Sequence, residues 1–222
     1  MTSQARDSFA DHCGDIDRLF EIHTEISGEL PGRRWQELES LHKSAIVLLT
    51  AFWEAFCEDL AAEALAHLVV NAHEAEALPA DLRRLVAKEL VADEHELAIW
   101  RVADDRWREV LTSRLERLQA VRNRKLNTPK TAQINDLFDK AVGLPMISAS
   151  WQWNRMSATR AAEKLDAFIE LRGEIAHRGA AVGAVTKDQV KVFYNHVQRL
   201  VTATEVHVQQ RLEESTGTPP WT

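Results

Sequence analysis

Ala45-Ile46-Val47-Leu48-Leu49-Thr50-Ala51-Phe52-Trp53-Glu54-Ala55-Phe56-Cys57 is apolar almost throughout and carries a single charge, Glu54. Followed outward, the run belongs to one long predicted helix from about Trp35 to His73. Its middle should be buried all round, and the part beyond Asp59 becomes alanine-rich and amphipathic. A helix buried at its centre needs other helices around it. Phe9, Ile16, Leu19, Phe20, His23 and Ile26 recur at helical spacing before Ser27-Gly28 and Pro31-Gly32 interrupt the chain. Pro79-Ala80-Asp81 opens a further helical stretch, with a break near Asp93, that runs through Trp100, Trp107, Leu111, Leu115 and Leu118. A short helix follows Asn127-Thr128-Pro129, carries Ile134, Leu137 and Phe138, and stops at Gly143-Leu144-Pro145. Beyond the tryptophan-bearing loop Ser150-Trp151-Gln152-Trp153-Asn154, one helix starts near Ser157 and the last near Thr186, where Thr186-Lys187-Asp188-Gln189 fits a capping box. No alternating strand pattern competes, so the expected class is all-α.

The 222 residues, 45% of them apolar, can bury one sizeable core and fit one domain better than several. The expected boundaries are 1–214 for that domain and 215–222 for a disordered C-terminal tail. The opening Met1-Thr2-Ser3-Gln4-Ala5-Arg6-Asp7 leads into polar sequence rather than a signal peptide. The apolar run that begins at Ala45 is cut by Glu54 and by Glu58-Asp59, well short of a membrane span. Cys13 and Cys57 lack metal-ligand spacing and read as reduced, buried thiols of a cytoplasmic protein. A net charge of −7 makes the whole surface a poor magnet for nucleic acid, so any RNA contact needs a local basic patch. Arg122, Arg124, Lys125 and Lys130 are candidates for it, together with Arg178; each also reads as part of a solvated helix end. Trp151 and Trp153 could stack on bases, with Trp153 the candidate, or pack their loop onto the bundle. His67 and His73 are six residues apart, point away from a common face, and read as solvated side chains, so no metal site is expected.

The chemistry gathers at Leu171-Arg172-Gly173-Glu174-Ile175-Ala176-His177-Arg178. Reading back from Arg172 in helical steps gives Ile169, Phe168, Leu165, Ala162 and Ala161, so this arginine continues a stripe that should face the core. A charge there needs a partner. Glu54 is the other lone charge on a core helix, and the two are expected to meet, either as an ion pair locking the bundle or as a carboxylate orienting a catalytic guanidinium. An arginine supplies a planar, permanent cation for phosphate oxygens, and a histidine exchanges protons near neutral pH. On a straight helix, however, residues five apart differ by about 140° in direction and about 7.5 Å in rise. Either the helix loosens near its end, or a second copy of the chain completes the site. Gly179 and Gly183 predict a helix end just after His177.

Arg172 and His177 resemble the R-x4-6-H motif of the HEPN superfamily, many of whose members are ribonucleases. Ala51-Phe52-Trp53-Glu54-Ala55-Phe56 with Glu58-Asp59-Leu60, then Leu126-Asn127-Thr128-Pro129 with Asn135-Asp136-Leu137-Phe138 and Gly143, then Arg172 to His177, resemble in the same order the landmarks of the RiboL-PSP-HEPN family. The resemblance implies an antiparallel helical bundle with additional helices, paired as a two-fold dimer whose two motifs line one cleft. It implies a metal-independent endoribonuclease without cofactor, with Arg172 and His177 catalytic and Glu54, Glu174 and Arg178 in support. RNA would be the substrate. A toxin or antiphage defence setting would add an antitoxin or a nucleotidyltransferase as partner. Many HEPN ribonucleases carry a polar residue, often asparagine, where this chain has Gly173. Two other functions stay open: a noncatalytic module binding RNA or a nucleotide, and a structural helical dimer acting with a partner protein.

Overall fold

The computed structural model describes residues 2–27, 35–121, 128–178 and 184–221, apart from the side chains of 35–37, 118, 119, 121, 177 and 178. Within these residues the chain forms seven α-helices and no strand: α1 (Gln4–Ser27), α2 (Trp35–Asn71), α3 (Ala80–Val91), α4 (Trp107–Val121), α5 (Thr131–Val142), α6 (Ala158–Arg178) and α7 (Lys187–Thr216). The break expected near Asp93 is an irregular stretch between α3 and α4 that holds two short 3-10 turns.

α2 is the axis around which α1, α4, α5, α6 and α7 pack. Ring contacts fix how α1 runs along it. Phe9 lies against Phe56, His12 is stacked on Phe52, and His23 meets His42, so residue numbers rise on one helix as they fall on the other. α7 runs the opposite way to α1. His42 Nδ1 donates to the Val185 carbonyl just before α7, and His67 bonds the Thr216 hydroxyl at its far end, making α2 and α7 parallel. α6 is antiparallel to α7, since His196 Nε2 donates to the Ala161 carbonyl while Phe168 stacks on Phe193. α1 and α6 therefore point one way and α2 and α7 the other, an antiparallel bundle.

Local chemistry accounts for the ends. Ser3 Oγ accepts the Arg6 N–H as the N-cap of α1, and the Glu63 carboxylate takes the N–H groups of Gln4 and Ala5. Glu205, buried on α7, accepts from Ser3 N, Ser3 Oγ and Arg6 Nη1, fastening the start of α1 to α7. Thr186 and Gln189 form the capping box that their spacing predicts. α5 ends at Gly143, whose φ of 67° is left-handed; a Cβ there would come within 2.3 Å of the Leu82 backbone nitrogen, so glycine lets α5 close onto α3.

Two expectations change. α2 is not buried all round: Ala45, Ile46, Leu49, Trp53, Phe56 and Cys57 are buried, but Val47, Leu48 and Ala55 are only partly covered and Ala51 is exposed. Helical spacing puts these four on one face with Glu54 and Glu58, the least covered side of this part of α2. Residues 215–221 of the expected disordered tail are also seated. α7 continues to Thr216, Gly217 ends it with a left-handed φ of 70°, and Trp221 packs partly buried against the core. A large indole gains more from that surface than the short segment loses in freedom.

Candidate functional site

α6 presents Ala161, Leu165, Ile169 and Ile175 to the core, and Arg172 extends their stripe as a partly buried side chain whose Nε is shielded from solvent. Across from it on α2 sits the half-buried Glu54. Burial pushes the Glu54 carboxyl above its usual range, while the charge of Arg172 pulls it back down. The two lone charges of the core stripes thus act on one another, and burial outweighs their attraction at the carboxylate. Asp59 lies one turn beyond, with Oδ1 withdrawn from solvent.

α6 is unbroken from Ala158 to Arg178, so it passes straight through Gly173 and carries His177 on its last turn. The angular separation of Arg172 and His177 therefore stands at about 140°, and the alternative of a helix loosened between them falls away. A Cβ on Gly173 would meet nothing within 4 Å; no close contact demands glycine there. Glu174 is partly exposed on the same helix. The side chains of His177 and Arg178 lie outside the described residues, as do Arg122, Arg124 and Lys125 altogether.

A family model described as RiboL-PSP-HEPN matches residues 15–210, nearly the whole chain. The chain belongs to the RiboL-PSP-HEPN family. No curated protein and no solved structure matches it. HEPN membership is compatible both with ribonuclease activity and with a noncatalytic RNA-binding module. Among the described residues of this HEPN chain, no group of histidine, cysteine and acidic side chains could hold a metal ion. No described helix is long and apolar enough to cross a membrane.

The other landmarks of the HEPN resemblance hold the bundle. Trp53 Nε1 donates to the Pro129 carbonyl, and Thr131 donates from both N and Oγ1 to Asp166 on α6. Asn135 bridges to Ser148, accepting from its N–H and donating to its hydroxyl. Of the RNA-contact candidates, Lys130 is 2.7 Å from Glu170, and Trp153 lies tilted against the His196 ring, 5.6 Å between centroids. Trp151 is fully buried edge-on to Trp53, with Nε1 donating to Thr204. Of the two uses open to these tryptophans, packing is the one Trp151 serves. His67 is not simply solvated, since it ties α2 to α7 through Thr216 and bonds Asn71 as well.

One cluster escaped the sequence reading. His23 on α1 and His42 on α2 are hydrogen-bonded ring to ring at 3.2 Å, with Lys187 and Lys191 of α7 close enough to disfavour a proton on His23. Its members come from three helices, and only Lys187 and Lys191, one turn apart on α7, share a spacing. Only the cap at Thr186, one residue before Lys187, marks the place in the sequence.

Proposed function

We propose that this HEPN chain is a metal-independent endoribonuclease in which Arg172 and His177 act at a cleft between two copies of the chain. The observation that carries the reading is the placement of Arg172: a guanidinium set into a core stripe, partly buried beside a half-buried carboxylate, one turn and a half before a histidine at the end of the same helix. A guanidinium held in this way has lost much of its freedom and hydration before substrate arrives, which favours tight bonding to phosphate oxygens.

The chemistry is transesterification within RNA. The 2′-hydroxyl attacks the adjacent phosphorus, the P–O5′ bond breaks, and the products are a 2′,3′-cyclic phosphate and a 5′-hydroxyl. Neutral His177 takes the 2′ proton; protonated, the same residue of the second copy gives one to the departing 5′ oxygen. Arg172 binds the nonbridging oxygens and stabilises charge as it accumulates on phosphorus. Glu54 orients Arg172, with Glu174 and Arg178 flanking the cleft.

Two features support the two-copy arrangement. An unbroken α6 sets positions 172 and 177 about 140° apart around its axis, so one helix makes a poor two-residue site. The least covered face of α2, with Val47, Leu48, Ala51 and Ala55 beside Glu54, offers a second copy apolar surface next to the arginine. The biological setting that fits is a toxin or antiphage defence effector restrained by an antitoxin or a nucleotidyltransferase. Gly173 favours the noncatalytic reading, because the polar side chain common beside the arginine in HEPN ribonucleases is missing.

Purified protein incubated with labelled RNA in excess EDTA, beside His177→Ala and Arg172→Ala variants checked for folding and self-association, tests the proposal. Wild-type cleavage leaving 2′,3′-cyclic phosphate ends, reduced roughly 10²–10⁴-fold without the histidine, is expected. RNA left intact by the wild type would make this a binding module.

A further inference from the structure

The helix directions bring four ends together. α6 runs antiparallel to α2, so its last turn, with His177, heads toward the end where α2 begins, α1 finishes and α7 starts. That end holds the histidine pair and its two lysines.

The pair's protons follow from its partners. A carbonyl only accepts, so His42 carries its proton on Nδ1, which donates to Val185 O at 2.8 Å. Where His42 Nε2 accepts from His23 Nδ1, His23 keeps Nε2 as a protonatable nitrogen with no hydrogen-bond partner among the described residues. Lys187, one helical turn from Lys191, is placed over the end of α1: its ammonium lies 5.9 Å from the Phe20 ring centroid and 3.4 Å from Thr24 Oγ1. The nearby acids are largely committed elsewhere. Among the described residues, Glu39 pairs with Lys43, Glu21 and Glu25 both pair with Arg18, and Asp188 is the carboxylate acting on Lys187. Burial and the two lysines hold the His23 pKa below its usual value, so the cationic fields converge on that ring.

On a chain of net charge −7, Lys191 exposed beside the partly exposed Lys187 and His23 makes a local cationic spot. From this geometry we infer that Lys187 and Lys191, joined by His23 in its protonated form, seat a backbone phosphate of the RNA strand, at the end of the bundle toward which α6 carries its motif. The inference rests on the RNA-directed reading above and supplies the local basic patch that an acidic protein needs. The seat reads charge and spacing rather than base identity, because a backbone phosphate carries no sequence information.

The test measures binding of a fluorescent single-stranded RNA by anisotropy, in EDTA, with His177→Ala protein so that the probe survives. It compares that protein with one also carrying Lys187→Gln and Lys191→Gln. A control carries Arg83→Gln and Lys88→Gln instead, two exposed cations of α3 whose loss changes net charge equally. Each phosphate contact on a single strand contributes about 0.7 to the slope of log affinity against log salt. Losing the one phosphate seat should flatten the slope by about 0.7, which is about 5-fold weaker binding at 0.1 M KCl, converging near 1 M, with the control unchanged. An unchanged slope, an equal change in the control, or no RNA binding by the parent protein overturns the seat. Cleavage by otherwise wild-type protein separates the two ideas. If the protein cleaves but KM ignores the lysine pair, the seat fails and the nuclease stands; if it binds through the lysines without cleaving, the reverse holds.

Discussion

At pH 7, removing the positive partner of the Glu54–Arg172 pair should cost far more than removing the negative one. Glu54 is half-buried, and burial raises its pKa more than Arg172 lowers it, so its ionised form is held at a net expense. Exposed ion pairs couple by roughly 0.2–1 kcal/mol, and breaking a fully buried one costs about 3–5 kcal/mol. A pair of intermediate exposure should couple by about 1–2 kcal/mol. Arg172→Gln then destabilises by about 1–3 kcal/mol, and Glu54→Gln, which also removes the desolvated charge, is close to neutral. In a chain of 222 residues each kcal/mol moves Tm by roughly 2–4 °C. The assay is a double-mutant cycle by urea unfolding at one fixed protein concentration, repeated at pH 4.5. A carboxyl whose folded pKa lies above its unfolded one binds more protons when folded, so its ionisation erodes stability as pH rises through that window. The Arg172→Gln penalty should therefore shrink on acidification and nearly vanish in the Glu54→Gln background. Additivity within about 0.3 kcal/mol at pH 7, or a penalty indifferent to pH, would refute the coupling.

Two glycines should respond oppositely to alanine. Gly143→Ala puts a Cβ at left-handed φ, itself about 1–2 kcal/mol, and drives it into the Leu82 backbone, so a loss above roughly 3 kcal/mol in urea unfolding is expected. Gly173→Ala, with open space around it in mid-helix, should gain about 1 kcal/mol, and a loss would mean that something closes over that position. His196 is buried with its pKa lowered to about 4, below the value near 6.5 of an unfolded chain, so the unfolded state binds the extra proton. Its share of stability is complete above pH 6.5 and declines as pH falls toward 4; an unfolding series over that range should show a decline that His196→Gln flattens.

What could be read in advance depended on how local its cause was. The α7 cap is four consecutive residues, and the left-handed stop at Gly143 is one residue with a consequence for its own backbone. Glu54 and Arg172 lie far apart in sequence, yet each was conspicuous alone as the odd charge on an apolar stripe, and two such charges in one core have few places to go but toward each other. His23, His42, Lys187 and Lys191 had no such mark, because a histidine or lysine near a helix end is ordinary and only the packing of three helices makes them neighbours. Trp221 was missed for the opposite reason: the polar residues before it read as a tail, and the value of one indole depends on a surface the sequence does not display. The subtlest miss is α2. Continuous apolarity reveals a helix that avoids water but not what covers each side, since a neighbouring helix of the same chain and a second chain demand the same residues. The least covered face, beside Glu54, is therefore where the pattern that identified the fold ceases to distinguish folding from assembly, and the oligomeric state of Ala51→Arg protein would tell them apart. A charge at that exposed position has little to disturb within one chain and much to disturb between two.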